Sequence, residues 1–530
     1  MNGNFFMRLK RLFAFDKPYS EFELLETEHG EPSYFSNMKD KKHSSEHETG
    51  NASTSVNENL ERLKKEFRGD INSDLILRSF KMAKKLDCLV VFINGMADED
   101  QINDFILRPA MKLDCIDTEG SVAEYAENQV FQMQETELCS DWNDILSAIS
   151  EGRSAVFLDG DSTAVLMDTR GYVSRSVPDA TNETTVLGPH EAFNENFRTN
   201  ITLLRRIIKT TDFVCQIRSS GAKNRIKIAI AYREGMANAG LVNEVKRRLS
   251  KIDTDMILST GTIAQLIEDH PLSPIPQVLS TERPDRAAAG IMQGKVAIIC
   301  EGSPQVCVVP VTFGTLLSSA EDAYLRRPIA ILVRIVRIFG IIITTLMPAY
   351  FVALCMHHQG MLSSEVLSTV ISSRTMVFMP LPLEMIFLLI VFQLVREAGV
   401  RAPGALGQSV GIIGGLILGQ AAVSANIVST VVLIIVALTG LGNFAVPDYS
   451  TQLAIAYYRI AMCVIAWVGG LLGISFALLL TLAYLSAQKS FGVPLLTPYA
   501  PRTMRKRSIL RGPVGMHSRA DDYMNTEGSL

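Results

Sequence analysis

From Ser409 to Pro447 the chain contains no Asp, Glu, Lys or Arg. A water-soluble domain rarely leaves so long a stretch uncharged, because even a buried helix shows one polar face to solvent. A bilayer crossing takes about 20 apolar residues, so this run is too long for one simple span. Within it, Gln420, Ser424, Asn426 and Asn443 would be costly in lipid unless they face protein or water. Metal-binding cysteine spacing is also lacking. The eight cysteines form no CxxC or Cys/His arrangement, and their scatter suits reduced thiols in a cytosolic compartment. No phosphate loop, GxSxG elbow, HExxH or dinucleotide-binding glycine fingerprint occurs, so no enzyme, cofactor or metal is expected. The Asp159-Gly160-Asp161 turn lacks the Gly and Glu positions of a calcium loop. A net charge of -4 gives no ground for nucleic acid as a partner.

What is present divides unevenly. Most charge lies before Arg337, and the lipid-grade apolar sequence lies between Ile338 and Ala487. The composition predicts a multi-domain membrane protein, with a cytosolic α/β N-terminal region of two subdomains before an α-helical transmembrane domain of four to five spans. Residues 1–59 read as a disordered or tethering segment, 60–187 and 188–325 as the two soluble subdomains, 326–490 as the membrane domain, and 491–530 as a basic cytoplasmic tail. Phe5, Phe6, Leu9, Leu12 and Phe13 beside Arg8, Lys10 and Arg11 fit a short basic helix at a membrane surface or a disordered terminus. Basic residues interrupt every apolar core there, which excludes a secretory signal.

The soluble half predicts a helix over 72–86, a strand at 88–95, a helix at 99–111 and a hairpin over 154–171. A helix starting at Pro189 is expected to run to Lys209, with Glu191 and Glu195 early and Arg205, Arg206 and Lys209 late, matching the helix dipole. Strands follow at 225–232 and 254–260, with helices near 238–251 and up to about 269, and two strands around Gly302-Ser303 close the unit.

The apolar blocks are 338–356, 378–395, 409–447 and 460–488. Keeping the arginine-rich flanks, the Arg396–Arg401 turn and the basic tail on one side requires an even number of crossings. The simplest count is four, with a broken or re-entrant segment near Ser424 to Asn426. Five would put the tail outside. Glu384, near the start of a span, reads either as an interfacial carboxylate or as part of an ion path. Gln408, Gln420 and Asn426 offer helix-to-helix hydrogen bonds or a polar lining.

RTNITLLRRI, PQVLSTERPDRAA, GKVAIICEGSP, SAEDAYLRR, MPLPLEMI, LVREAGVRAPGALGQSVGIIGGLILGQAAV and NFAVPDYS, in this order, resemble the A subunits of the GerA family of spore germinant receptors. The resemblance runs from about Leu60 to Tyr499, and His190 departs from the family's usual Arg. It implies a multi-pass subunit of the spore inner membrane with its soluble region and tail in the cytoplasm. It also implies a transporter-like B subunit and a lipoprotein C subunit as partners, with self-association around a nutrient-gated cation pore. On that basis Glu384, Arg396, Glu397, Gln408, Gln420 and Asn426 are candidates for the pore or gate. Gly188, Pro189, Glu191, Glu282, Arg283, Pro284 and Asp285 are candidates for organising the soluble region or its subunit contacts. A paralogous channel subunit acting downstream shares the architecture. A lone secondary transporter would show inverted repeats and more spans.

Overall fold

The computed structural model describes residues 50–116, 120–171, 178–221, 224–401, 415, 419–497, 499–500 and 524. The amphipathic segment expected near the N-terminus, Gln408 and the basic residues 502–511 lie outside them.

Two helix-and-sheet subdomains follow one another. In the first, α1 (Val56–Glu66) precedes the hairpin of β1 (Leu75–Met82) and β2 (Leu86–Ile93). Two short helices come next, α2 (99–112) and α3 (122–130), each containing a π-helical stretch, then β3 (Thr136–Cys139), α4 (Trp142–Ser150), β4 (Ser154–Leu158) and β5 (Ala164–Met167). The second has α5 (Phe197–Ile207), β6 (Phe213–Ser220), β7 (Ile226–Arg233), α6 (Ala239–Ser250), α7 (Thr260–Ile267), β8 (Leu279–Thr281), α8 (Pro284–Ile291), β9 (Val296–Cys300) and β10 (Val306–Val309). The element order is the same in both. The sheet orders correspond too, β1-β2-β4-β5-β3 and β6-β7-β9-β10-β8, with every pairing antiparallel. One fold therefore occurs twice. Arg205 of α5 joins the copies through a bidentate ion pair with Asp74, at 2.8 and 2.9 Å, both side chains buried.

Three expectations need correction. Residues 72–86 form a hairpin instead of a helix: Ala83 and Lys84 both take positive φ, the geometry of a tight two-residue turn, without the usual Gly or Asn to signal it. The helix expected from Pro189 starts at Phe197, because the Asn196 side chain accepts from the Arg198 and Thr199 amides and caps it there. Residues 254–258 form no strand, since β8 occupies the sheet edge beside β10. The other expected strands and helices are present. All eight cysteines are free, six of them buried. Asp161, in the turn after β4, caps α3 by accepting from Ser121 and the Ala123 amide.

After the short α9 (Phe313–Leu317) comes an apolar bundle: α10 (Arg327–His357), α11 (Ser364–Arg374), α12 (Leu381–Arg401), α13 (Thr430–Phe444) and α14 (Tyr449–Ala487). Two of these, α10 and α14, are long and apolar enough to cross a membrane. Arg337 of α10 contacts Asp322 in the soluble region, so that end is proximal and His357 is distal. Thr344 donates to the Thr439 carbonyl at 3.0 Å, and Gly340 and Gly442 meet backbone to backbone. The C-terminal turns of α13 therefore lie beside the proximal half of α10. Close approach through small residues is the usual way helices pack where no hydrophobic effect drives them together. Glu384, at the start of α12, meets Ser429, the N-cap of α13, and Phe392 of α12 meets Gly440. Both helices run from distal to proximal.

The last block, expected as one crossing over 460–488, lies in a helix that folds back on itself at Gly470. Ala454, Tyr458 and Leu485 all pack into the core of the second subdomain. In an unbroken helix, 454 and 485 would lie about 46 Å apart. Gly470, at φ 57° and ψ -144°, breaks the helix, and a side chain at Gly473 would come within 2.9 Å of the Ile465 carbonyl. Left-handed φ at a residue without Cβ allows this reversal. The fold-back tip rests on His357 and His358, and His357 Nε2 lies 2.8 Å from the Trp467 carbonyl. The chain then returns to the second subdomain, where β11 (Lys489–Ser490) pairs with β12 (Val493–Pro494). Phe491, Val493, Leu495 and Met524 are buried in its core, so the division expected after 490 is not a packing boundary. The expected break near Ser424 to Asn426 is present as a turn, with Asn426 at φ 54°.

Candidate functional site

The junction between the soluble region and the bundle is built from charged groups. Arg283, wholly buried before α8, donates to both Asp285 oxygens at 3.0 and 2.9 Å. It also donates to Thr185 Oγ1 at 2.8 Å and the Pro189 carbonyl at 2.7 Å. Asp285 accepts the Tyr324 hydroxyl at 2.6 Å. Gly188, at φ +110°, passes so close to Tyr324 that a Cβ would lie 2.6 Å from its ring. Glu282 accepts from the Asn182 and Glu183 amides, and Pro284 opens α8. Gly188, Pro189, Glu282, Arg283, Pro284 and Asp285 thus meet in one network ending at Tyr324. Glu191 lies apart, paired with Arg206 at 3.3 Å. Next along the chain, Asp322 holds Arg334 and Arg337 of α10 at 3.1 and 2.7 Å. Sequence reading saw these arginines as membrane flanks and passed over Asp322, though SAEDAYLRR contains it.

A second junction receives the returning chain. Asp269 pairs with Arg248 at 2.7 Å and accepts the Phe491 amide at 2.8 Å, while Gln277 donates to Gln488 at 2.9 Å. Beside them Glu268 accepts the Gln277 amide, and burial, with the Asp269 charge adding, pushes its carboxyl up to about 7. The folded state therefore holds this proton more tightly than the unfolded chain, whose carboxyl titrates near 4.5. The associated stability is complete below that value and is lost as pH rises to about 7, amounting to roughly 3 kcal/mol. Chemical unfolding of the full chain at pH 5 and pH 8 should show that slope, and Glu268→Gln should flatten it.

In the bundle the candidates divide by depth. At the distal end Glu384 is wholly buried; its Oε1 accepts the Ser429 amide and hydroxyl at 2.6 and 2.7 Å, and its Oε2 faces Arg374 at 3.2 Å. A carboxylate at a helix N-terminus satisfies free amides and complements the dipole. Gln420 and Asn426 are exposed, as is Ser424 between them. At the proximal end, about 18 Å along α12 from Glu384, Arg396 lies over the Tyr449 ring at 6.0 Å. Glu397 pairs with Arg401 at 2.8 Å. Sequence reading missed Arg459, which sits just before the apolar block it delimited. A lone Arg inside an apolar helix was the available signal. No cluster of three or more metal-ligating side chains occurs among the described residues.

Residues 61–523 match the sequence profile of the family described as Bacillus/Clostridium GerA spore germination protein. The chain is 33% identical over 476 residues to spore germination protein GerLA of Bacillus cereus, covering 89% of this chain and 96% of that one. It is 32% identical over 482 residues to spore germination protein KA of Bacillus subtilis (strain 168), covering 90% and 88%. Among solved structures, the N-terminal domain of the A subunit of the Bacillus megaterium spore germinant receptor GerK3 is 28% identical. That match covers 50% of this chain and 98% of the domain, with a TM-score of 0.38, too low to argue a shared fold.

Proposed function

The chain belongs to the GerA family of spore germination proteins, and on that premise we propose that it is the A subunit of a nutrient germinant receptor in the spore inner membrane. It works with a transporter-like B subunit and a lipoprotein C subunit, and copies of it associate around a cation pore that opens when nutrient binds. The observation that carries this reading is the exposed strip Gln420, Ser424 and Asn426, set beside the apolar helices α12 and α13; other exposed polar side chains of the bundle gather on α11, as at Ser364, Glu365, Ser368 and Ser372. In a bilayer such groups need protein or water opposite them. Gln420 and Asn426 accordingly face neighbouring copies or the pore, with Gln408 a further candidate from sequence. Glu384 ties α12 to Ser429, just after the turn that carries Ser424 and Asn426; Arg396 and Glu397, further along α12, remain candidates for the gate. Nutrient binding on the partner opens the pore through its differential affinity for the two arrangements.

The test is monovalent-cation release from spores lacking this chain, across amino acids and sugars. Loss of release to some nutrients, with others kept, supports a receptor subunit; uniform slowing to all of them would assign the chain to a downstream channel instead. Gln420→Leu in the complemented strain should alter release while the chain still reaches the membrane in normal amount.

A further inference from the structure

Three side chains at the proximal end of the bundle hold buried polar atoms with no hydrogen-bond partner among the described residues. Arg459 is wholly buried, and its Nε, Nη1 and Nη2 make no hydrogen bond. Arg396 likewise leaves Nη1 and Nη2 buried and unbonded, and Asn443 leaves both side-chain polar atoms so. The three are neighbours. Phe392 of α12 packs on Gly440 of α13, and the two helices run in the same direction, so one turn further along Arg396 comes beside Asn443. Arg459 of α14 lies within electrostatic range of Arg396.

Two like charges together in an apolar bundle repel each other. Buried charges of this kind persist when something of opposite sign pairs with them. Among the described residues none nearby is free to supply it. Glu397 is held by Arg401, and Asp448 caps α14 by accepting the Thr451 amide and hydroxyl. Residues 402–418 contain no Asp or Glu.

We propose that Arg396, Arg459 and Asn443 form a binding site for a phosphate-type oxyanion, presented by the headgroup of an anionic phospholipid. Two guanidinium forks and an amide suit the geometry of phosphate. Lipid is favoured as the source because the surface around the site is apolar and open: Leu394, Leu441 and Phe444 are 63%, 68% and 62% exposed, a path for acyl chains. The site lies at the end of the bundle where the soluble region attaches and basic residues gather, and basic pockets between helices at such an end hold anionic headgroups. This inference concerns assembly in the membrane and stands whether or not the chain forms a pore.

The full-length chain is reconstituted in phosphatidylcholine, in phosphatidylcholine with phosphatidylglycerol, and in phosphatidylcholine with inorganic phosphate. Unfolding midpoint and lipid retained by native mass spectrometry are the readouts. Phosphatidylglycerol should raise the midpoint and be retained; Arg459→Met should abolish the rise and weaken retention about tenfold or more. In phosphatidylcholine alone Arg459→Met should match or exceed the natural chain, because it removes an unpaired charge. Asn443→Leu, which leaves both charges in place, should weaken retention less. An equal rise with inorganic phosphate overturns the headgroup assignment in favour of a free anion. Equal destabilisation by Arg459→Met in every lipid overturns the site, and so does a rise that requires added partner subunits, which would assign a protein carboxylate.

Discussion

Replacing Glu384 with Ala lowers the unfolding stability of the bundle by roughly 3 kcal/mol, the low end of the cost of breaking a buried ion pair, because Arg374 is partly exposed. The size follows from what the carboxylate holds. It closes the N-terminus of α13 through two hydrogen bonds from Ser429 and neutralises Arg374. Without it, Arg374 loses its counter-charge and keeps a carbonyl partner at Met379, and the Ser429 amide at the N-cap of α13 loses its acceptor. Glu384→Gln keeps one acceptor oxygen for Ser429 and should lose less. Thermal unfolding of the purified chain in detergent, followed by circular dichroism, separates the variants. An unchanged midpoint for Glu384→Ala would return the residue to an ion-path role, where the Gln variant should alter cation release at normal stability.

The second large effect lies at the proximal junction. Asp322→Ala removes the carboxylate that Arg334 and Arg337 share, leaving Arg337 the Leu317 carbonyl at 3.2 Å among the described residues. The expected loss is again roughly 3 kcal/mol, toward the low end because Arg334 is partly exposed. Replacing Asp322 with Leu and Arg337 with Met together should recover much of it, since an apolar pair avoids the desolvation of both charges. Urea unfolding gives the energies. Cation release from spores carrying Asp322→Ala should be slowed more than its membrane level falls, if this junction transmits the response.

Much of the architecture was legible where a local signal existed. The hairpins around Asp159-Gly160-Asp161 and Gly302-Ser303 announce themselves by glycine, and both form. The β1–β2 hairpin turns at Ala83-Lys84, residues with no turn preference, so its identity depends on pairing with β2 and burial in the sheet, which sequence spacing cannot display. The duplication of the soluble fold is equally silent, because two copies can share a strand order without sharing side chains. The reversal at Gly470 hides among the neighbouring glycines of an apolar run, and what selects it is contact with His357 and His358, more than 100 residues away in sequence. For the candidate residues, Glu282, Arg283 and Asp285 of the TERPD motif are conspicuous in sequence and lie in the junction network, whereas Arg459 stands out only once the helices are packed.

The return of residues 489–497 to the second subdomain has a mechanical consequence. That subdomain is one solid body made from two stretches of chain, and the whole bundle is spliced into it as an insert, clasped at both ends like a handle on a lid. The entry clasp is Asp322 with Arg334 and Arg337; the exit clasp is Asp269 with Phe491, and Gln277 with Gln488. A strain that tilts one clasp relative to the other is carried by α10 on one side and the final arm of α14 on the other. These two meet at the far tip, where His357 touches Gly470. Small displacements at the base are thereby delivered as leverage at the opposite end, without any need for the soluble body to come apart.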